Sequence, residues 1–407
     1  METATNSSDL RPRPARRQQI VLLLGFCLGS LAWNFCWPFL PLRVQEVGIA
    51  DLGAVAQFTG LLAGAANLIT AAIGPAWILL GERFGYKYQV MRAHLGTATS
   101  MTLIGLARTP LEMGGAAGLL GVFGGNYPHY LALAASSVAP SEVGQVVGDM
   151  QAAGQVGSTI GPVVGGLIIA HFGLTAAFVA TGIVSFLAFV IATTGIRVDK
   201  PEATSVRQPK GSLRDALADP NNRWLMLLFP IADAFVQGLR PLIPIAISLR
   251  ISDPAAVATA TGITATAAMG GTVISALVVG RLSRRVAPRW ILAASLPAAA
   301  VVAILIPEAS TIPTLLAAWA VFGLTAGATT PAIFAWMGRL ATGSRGAYAL
   351  LATMNMVDFA IGPAVMGQAS VYSLSLPFYL AAGSTLLAAV YVVFTGPREP
   401  AAPLTFR

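Results

Sequence analysis

Apolar residues in this chain run in blocks of about 20 or more, parted by short polar breaks, with no alternation of strand type. Blocks of that length cross the hydrocarbon core of a bilayer as helices, because a helix satisfies its own backbone hydrogen bonds in lipid. Twelve are predicted. The first six lie at roughly 19–43, 54–80, 88–108, 110–138, 147–171 and 175–196, and the second six at roughly 223–247, 256–280, 288–306, 311–340, 346–371 and 375–395. The one long polar interruption, Arg197–Arg223, carries Pro201, Pro209, Pro220 and several charges. It reads as a cytoplasmic linker with a short surface helix near Leu213–Leu217. The other loops are short, so neighbouring spans are expected to pack antiparallel.

Polar and small residues then show that the two sets are related. Gly154-Gln155-Val156-Gly157-Ser158-Thr159-Ile160-Gly161-Pro162-Val163-Val164-Gly165-Gly166 lies in the fifth segment, and its glycines recur every three or four residues. That spacing makes one flat helix face for close approach of a neighbour, and Pro162 removes a donor and kinks the helix. Ile361-Gly362-Pro363-Ala364-Val365-Met366-Gly367 repeats the pattern in the eleventh segment. Trp37-Pro38-Phe39-Leu40-Pro41-Leu42 ends the first segment as Arg240-Pro241-Leu242-Ile243-Pro244-Ile245 ends the seventh. Six spans are an even number, so the halves have the same orientation and are related by an axis along the membrane normal. The expected organisation is an N-terminal arm (1–18), a six-helix bundle (19–196), the linker (197–222), a second six-helix bundle (223–395) and a tail (396–407).

Composition fixes the class. Of 407 residues 55% are hydrophobic and 10% charged, against roughly 25% charged in soluble domains. The chain is therefore read as an all-α polytopic membrane protein. Its net charge of +8 would suit a polyanion, but the distribution points elsewhere. Arg11, Arg13, Arg16 and Arg17 precede the first segment, and Arg83 and Lys87 follow the second. Arg197, Lys200, Arg207, Lys210, Arg214 and Arg223 follow the sixth, Arg281, Arg284, Arg285 and Arg289 the eighth, and Arg339 and Arg345 the tenth. The odd-numbered connections hold only Arg43, Arg108 and Arg250. That alternation places both termini in the cytoplasm and excludes nucleic acid as the reason for the charge. The basic start runs into an apolar stretch with no small-residue cleavage site, so it reads as an uncleaved first span. Cys27 and Cys36 fall on opposite faces of one helix. His94, His129 and His171 have no metal-ligand spacing, and no catalytic constellation or cofactor motif appears, so neither an enzyme nor a metal site is expected.

With these residues in view, the chain resembles the major facilitator superfamily over nearly its whole length, and within it the twelve-helix drug/proton antiporters of bacteria. Glu82-Arg83-Phe84-Gly85-Tyr86-Lys87 resembles the cytoplasmic signature between helices two and three, Asp-Arg-x-Gly-Arg-Arg/Lys, with Glu82 for the aspartate and Tyr86 for an arginine. The Gly157–Gly166 run resembles the antiporter signature of helix five: Gly157, Gly161, Pro162, Gly165 and Gly166 are its packing residues. The resemblance implies two pseudo-symmetric six-helix bundles, alternating access by rocking, and efflux. It also implies a conformational latch at Glu82, Arg83, Gly85 and Lys87, with Asp149 as the expected partner of a signature arginine and Arg83 and Lys87 facing lipid phosphates. One departure stands out. The family's helix-four arginine would fall near Ala117, yet Leu111–Val138 holds none, which leaves Arg92 and Arg240 as the cations that would take its place.

Ionisable groups inside the membrane are costly and functional. Asp358 lies mid-span in segment eleven with Asn355 one turn earlier, and is expected to face a cavity, find a partner or be protonated. Desolvation favours the neutral carboxyl in general, as a proton carrier requires. Asp233, Gln237 and Arg240 form a polar stripe on segment seven. Asp233 and Arg240 sit roughly 10 Å apart along a straight helix, so other helices are the expected partners of each. Asp233, Asp358 and His129 are the proton-coupling candidates. Asn34 and Trp37 (with Ser30), Gln151 and Gln155 (with Ser158), and Asn126, His129 and Tyr130 beside Tyr127 form further stripes. Together with Asp233, Gln237, Arg240, Asn355 and Asp358 they are candidates to line one cavity for an amphipathic organic substrate. The expected protein is an inner-membrane proton antiporter exporting such a molecule, a monomer whose partners are substrate, protons and membrane lipids. An importer or uniporter of a polar solute, a lipid exporter, and a non-transporting receptor on the same scaffold are the alternatives.

Overall fold

Helices account for all regular structure among the described residues of the computed structural model, which are 16–138, 142–196, 217–340 and 345–397, without the side chains of Arg16, Ser136, Val143, Gly144, 345–353 and Asn355. The first half holds α1 (Arg16–Cys36), a 3-10 turn at Trp37–Phe39, α2 (Leu40–Glu46), α3 (Leu52–Phe84), α4 (Tyr86–Leu106), α5 (Pro110–Phe123), α6 (Tyr127–Ser136) and α7 (Val143–Gly195). The second holds α8 (Pro220–Gly238), α9 (Leu242–Ser248), α10 (Pro254–Leu282), α11 (Pro288–Glu308), α12 (Ile312–Ala326), α13 (Thr329–Arg339), α14 (Arg345–Ser370) and α15 (Leu376–Thr395). The linker helix expected near Leu213–Leu217 lies, but for Leu217, outside the described residues.

Eight helical stretches among the described residues are long and apolar enough to cross a membrane. One of them, Gln145–Gly195, has 51 residues, about 75 Å if straight and far more than one bilayer core. Gly173 breaks it at φ 84°, ψ 169°, a backbone region that glycine enters without steric cost, so α7 supplies two crossings. With α4, the α5–α6 pair and α14, the order gives two sets of six.

Four crossings that the hydropathy reads as single helices are broken: the first at Trp37–Phe39, the fourth at Gly124–Asn126, the seventh at Leu239–Pro241 and the tenth at Gly327–Ala328. Corresponding breaks fall about 200 residues apart, so the repeat extends to backbone shape. The causes are local. Prolines at the first and seventh breaks lack an N–H to continue the ladder, and Gly125 takes φ 79° at the fourth. Apolar runs stay apolar through such breaks, which is why the pattern of hydrophobic positions misses them.

Glycine faces set the packing. Gly154, Gly157, Gly161 and Gly165 press α7 onto α1 so closely that a Cβ at Gly157 would collide with the Cys27 carbonyl, and one at Gly161 would meet the Leu31 carbonyl at 3.1 Å. The two halves meet along two seams. In the α3–α14 seam, Gly60 abuts the Pro363 carbonyl, a Gly64 Cβ would reach Ala360 O at 2.7 Å, and Gln57 Nε2 donates to Gln368 Oε1 at 2.7 Å. In the α7–α10 seam, Gly166 faces Ala258 O, Gly262 faces Pro162 O, and Thr266 Oγ1 donates to Thr159 O at 3.1 Å. Both seams lie in the helix halves away from the chain termini. Towards the terminus end, a Cβ at Gly74, Gly148, Gly270 or Gly280 would meet nothing within 4 Å. The close glycine contacts that join the halves thus lie at the end away from the chain termini.

The sparse basic residues of the odd connections hold that joined end. Arg43 is buried; its Nε and Nη2 donate to Ile104 O (3.3 Å) and Ala107 O (2.6 Å) at the end of α4, and Nη1 pairs with Glu46. Arg250 does the equivalent in the second half, donating to Ala309 O (2.6 Å), Pro307 O (3.0 Å) and Ala246 O (2.6 Å). Each guanidinium satisfies orphan carbonyls at a helix C-terminus. Because hydrogen bonds to charged groups contribute about 1.5–3 kcal/mol each, Arg250→Met is expected to cost about 3 kcal/mol. The apparent Tm of the purified protein in detergent should fall measurably; an unchanged Tm would show that these contacts are slack.

Candidate functional site

One face of α7 is exposed in the half nearer the chain termini. Thr159, Pro162 and Gly166 of that face pack on α10, but Gln155 and Gln151, one and two turns nearer the terminus end, are exposed. Asn34 Nδ2 donates to Ser158 Oγ at 3.0 Å and ties α1 to the same level, while also reaching Ser30 O at 3.0 Å. Trp37 stacks on Trp33 with ring centroids 5.0 Å apart. Tyr127 opens α6, is 38% exposed and interacts with Gln151. The Asn126 side chain crosses against Gly29 of α1. Asn34 and Ser158, Asn126 and Gly29, and Tyr127 and Gln151 thus tie α1, the fourth crossing and α7 together in the first half, with Gln151 and Gln155 exposed beside them.

The second half contributes two buried carboxyls. A Cβ at Gly238 or Gly362 would collide with the opposite backbone, so α8 and α14 touch there. About one turn from that contact on each helix lie Asp233, 2% exposed, and Asp358, 0% exposed. Asp233 accepts a hydrogen bond from Gln237 Nε2 at 2.9 Å. Neither oxygen of Asp358 has a partner. Both aspartates are therefore buried in this arrangement rather than open to a cavity. Arg240 is corrected too. The break at Leu239–Pro241 ends the straight helix, and Arg240 falls within electrostatic reach of Asp233, with no ion pair at contact distance. The Asn355 side chain lies outside the described set.

Histidine and tyrosine of the fourth crossing part ways at its break. Tyr130 does not border the crevice: it is fully buried, its Oη lies 2.8 Å from His94 Nε2, and its ring packs on Phe26. His129, 2% exposed, has Nε2 at 3.3 Å from Arg92 Nη2. Arg92 lies over the Trp77 ring at 4.0 Å, and Trp77 Nε1 donates to Val122 O at 2.8 Å. His94 and Trp77 carried no sequence signal, since an isolated polar or aromatic residue in an apolar run has no spacing to read. Arg92 had one, as a cation within a span.

The connection at Glu82–Lys87 binds its own half. Gly85 at φ 99° caps α3, and Lys87 Nζ donates to Thr193 O and Ile196 O, both at 2.7 Å, at the end of α7. Glu82 and Arg83 are exposed, and Asp149 is not joined to Arg83. Among the described residues, Glu82, Arg83 and Asp149 form no ion pair at contact distance.

Comparison with known proteins agrees with this architecture. The family model described as Major Facilitator Superfamily matches residues 22–260 and again 240–407, once for each half. The chain is 30% identical over 289 residues to the multidrug resistance protein MdtG of Salmonella typhimurium, covering 69% of this chain and 70% of that one. MdtG of Salmonella arizonae matches to the same extent. Among solved structures, the nucleoside transporter NupG superposes with a TM-score of 0.74 at 12% identity, covering 93% of this chain and 98% of its own. A bacterial homolog of the human lysosomal transporter Spinster gives 0.70 at 15% identity, covering 93% and 94%.

Proposed function

Because the chain belongs to the Major Facilitator Superfamily of membrane transporters, we propose that it exports a hydrophobic or amphipathic small molecule across the bacterial inner membrane in exchange for protons. The observation that carries the proton half of this reading is the buried pair Asp233 and Asp358, of which Asp358 has no hydrogen-bond partner. Export is supported by a relative, 30% identical over two thirds of both chains, whose name is multidrug resistance protein.

The alternation of basic connections supports a cytoplasmic terminus end; on this reading the arrangement is inward-facing and substrate enters between Gln151, Gln155, Tyr127 and Asn34. Two unpartnered carboxylate oxygens in an apolar interior are costly when ionised, so this packing suits a neutral Asp358. Proton loss places two like charges across the α8–α14 contact and drives those helices apart. The opposite face of α14 carries Ala360, Pro363 and Gly367, which form the outer seam with α3. Movement of α14 at Asp358 therefore loosens the outer seam, linking proton occupancy to access. The lack of arginine in α5 and α6 favours a second reading, an uncoupled uniporter.

A pH-gradient jump in everted vesicles given a fluorescent dye from outside, so that export reads as dye uptake, separates the two. Proton antiport gives efflux activity that collapses when the gradient is dissipated, whereas a flux blind to the gradient identifies the uniporter. For the inward-facing assignment, Gln155→Cys should react quickly with a membrane-impermeant maleimide in everted vesicles and slowly in right-side-out ones. Gln57→Cys, inside the outer seam, should be protected in both. Equal rates at the two positions would remove the inward-facing assignment.

A further inference from the structure

Pro363 lies inside α14 and has no N–H, so the carbonyl four residues earlier, that of Phe359, loses its partner within the helix. In lipid such a freed carbonyl draws a donor from a neighbouring helix. Asn67 of α3, in the other half, provides it. Its Nδ2 donates to Phe359 O at 3.2 Å and to Ala63 O of its own helix at 2.9 Å. Both acceptors are carbonyls, so the orientation of the amide is set by its surroundings and both its hydrogens are used. Asn67 shares the α3 face of Gly60 and Gly64, where an added Cβ would strike the carbonyls of Pro363 and Ala360. Phe359 directly follows Asp358, the buried carboxyl whose two oxygens have no partner.

The internal repeat gives a contrast. Pro162 of α7 corresponds to Pro363, and there the carbonyl freed belongs to Ser158. Thr266 of α10 crosses that seam to the next carbonyl, Thr159 O, at 3.1 Å. Gly157 stands where Asp358 stands in the other seam. Counting from Gly60 and Gly262, which face the two proline carbonyls, Met269 takes the place of Asn67. The α7–α10 seam thus joins the halves with no titratable group beside its bond, whereas the α3–α14 seam joins them one residue from a carboxyl.

We propose that Asn67 is the positioning residue that carries a change at Asp358 across to the other half and so into the outer seam. With Asp358 neutral, the Phe359 carbonyl stays turned to Asn67 and the halves are held. A shift of α14 on proton loss withdraws that carbonyl, and the seam opens. The inference rests on the proton-coupled reading and adds the residue of the first half through which it acts. Of the helices packed on α14, α3 carries no titratable residue between Asp51 and Glu82. The α8 helix carries Arg223 and Asp233, with Arg240 beyond its end, and α15 carries Tyr379 and Tyr391.

Gln57→Cys, in the α3–α14 seam, is the reporter. Its labelling by a maleimide is followed in the purified full chain in detergent across the neutral pH range. Each rate is corrected for Cys27 and Cys36 and divided by that of the unfolded chain at the same pH. With Asn67 in place, labelling is expected to rise about tenfold with pH, the usual size of coupling between two sites. In Asn67→Leu it should be fast at every pH, with no rise. Thr266→Val, which weakens the other seam, should speed labelling and keep the rise. Pro363→Ala returns an N–H to the Phe359 carbonyl. A residue that merely satisfied that oxygen would then be dispensable, so a pH response regained in Asn67→Leu/Pro363→Ala overturns the proposal. A rise kept in Asn67→Leu overturns it as well, as does a rise lost in Thr266→Val. If Asn67→Leu does not fold, Asn67→Ala decides by the same criterion. A rise missing with Asn67 intact, or kept in Asp358→Asn, overturns the proton reading and this proposal together. One lost in Asp358→Asn yet kept in Asn67→Leu overturns this proposal alone.

Discussion

Asparagine in place of Asp358 is expected to abolish stimulation of efflux by a pH gradient, a fall of roughly ten- to a hundredfold at the typical size of coupling between two sites. The amide is isosteric and cannot carry a proton, and it adds no charge to an interior where Asp358 already lies without partners. Folding and substrate exchange at equal pH should therefore persist while coupling is lost. Asp233→Asn should weaken coupling less, because Gln237 already holds that carboxyl at 2.9 Å and the unpaired group is its neighbour. Substrate exchange without a gradient, measured beside gradient-driven efflux in the same vesicles, separates lost coupling from lost binding. If both variants keep the full gradient response, the proton route lies elsewhere.

Leucine at Gly60 is the second large effect. A Cβ there would already collide with the Pro363 carbonyl, and three further carbons cannot fit between two backbones. Overpacking a fixed core costs about 1–3 kcal/mol or more, but this seam lies between bodies that are proposed to separate. Relief by opening costs less than relief by distortion, so the population should shift towards the outward-open arrangement. Moving such an equilibrium from 1:99 to 99:1 takes about 5.5 kcal/mol, so a partial shift is expected from one substitution. Gln368→Cys in that background should react faster with an impermeant maleimide from outside, and efflux should stall. Gly262→Leu in the other seam should act alike. Gly74→Leu, where a Cβ meets nothing within 4 Å, serves as the control and should change neither. Faster labelling in the control as well would mean that added bulk, rather than the seam, is responsible.

Much of the architecture was legible because the bilayer simplifies the problem. The run lengths of apolar residues gave the crossings, and the glycine spacing in Gly154–Gly165 marked the face that closes on α1. Both signals are periodic or extended, so they survive in one dimension. The fate of single polar residues was not legible in the same way. Tyr130 and His129 are adjacent in sequence, yet one turns to His94 and the other to Arg92, because the break at Gly124–Asn126 redirects the helix that carries them. Arg43 and Arg250 looked like loop residues and proved to be matched caps on α4 and α11.

What the sequence determined by itself is therefore a twelve-crossing membrane protein of two related halves, with a few ionisable groups placed inside it. Hydropathy, charge alternation and internal repetition are each summed over many residues and tolerate local error. What only the tertiary structure decided is which of those groups meet. Asp233 and Asp358 stand far apart in sequence on different helices, and the contact of Gly238 with Gly362 brings those helices together about one turn from both buried carboxyls. Such a meeting depends on the rotation, break and approach of two helices at once, and no periodicity within either helix records it.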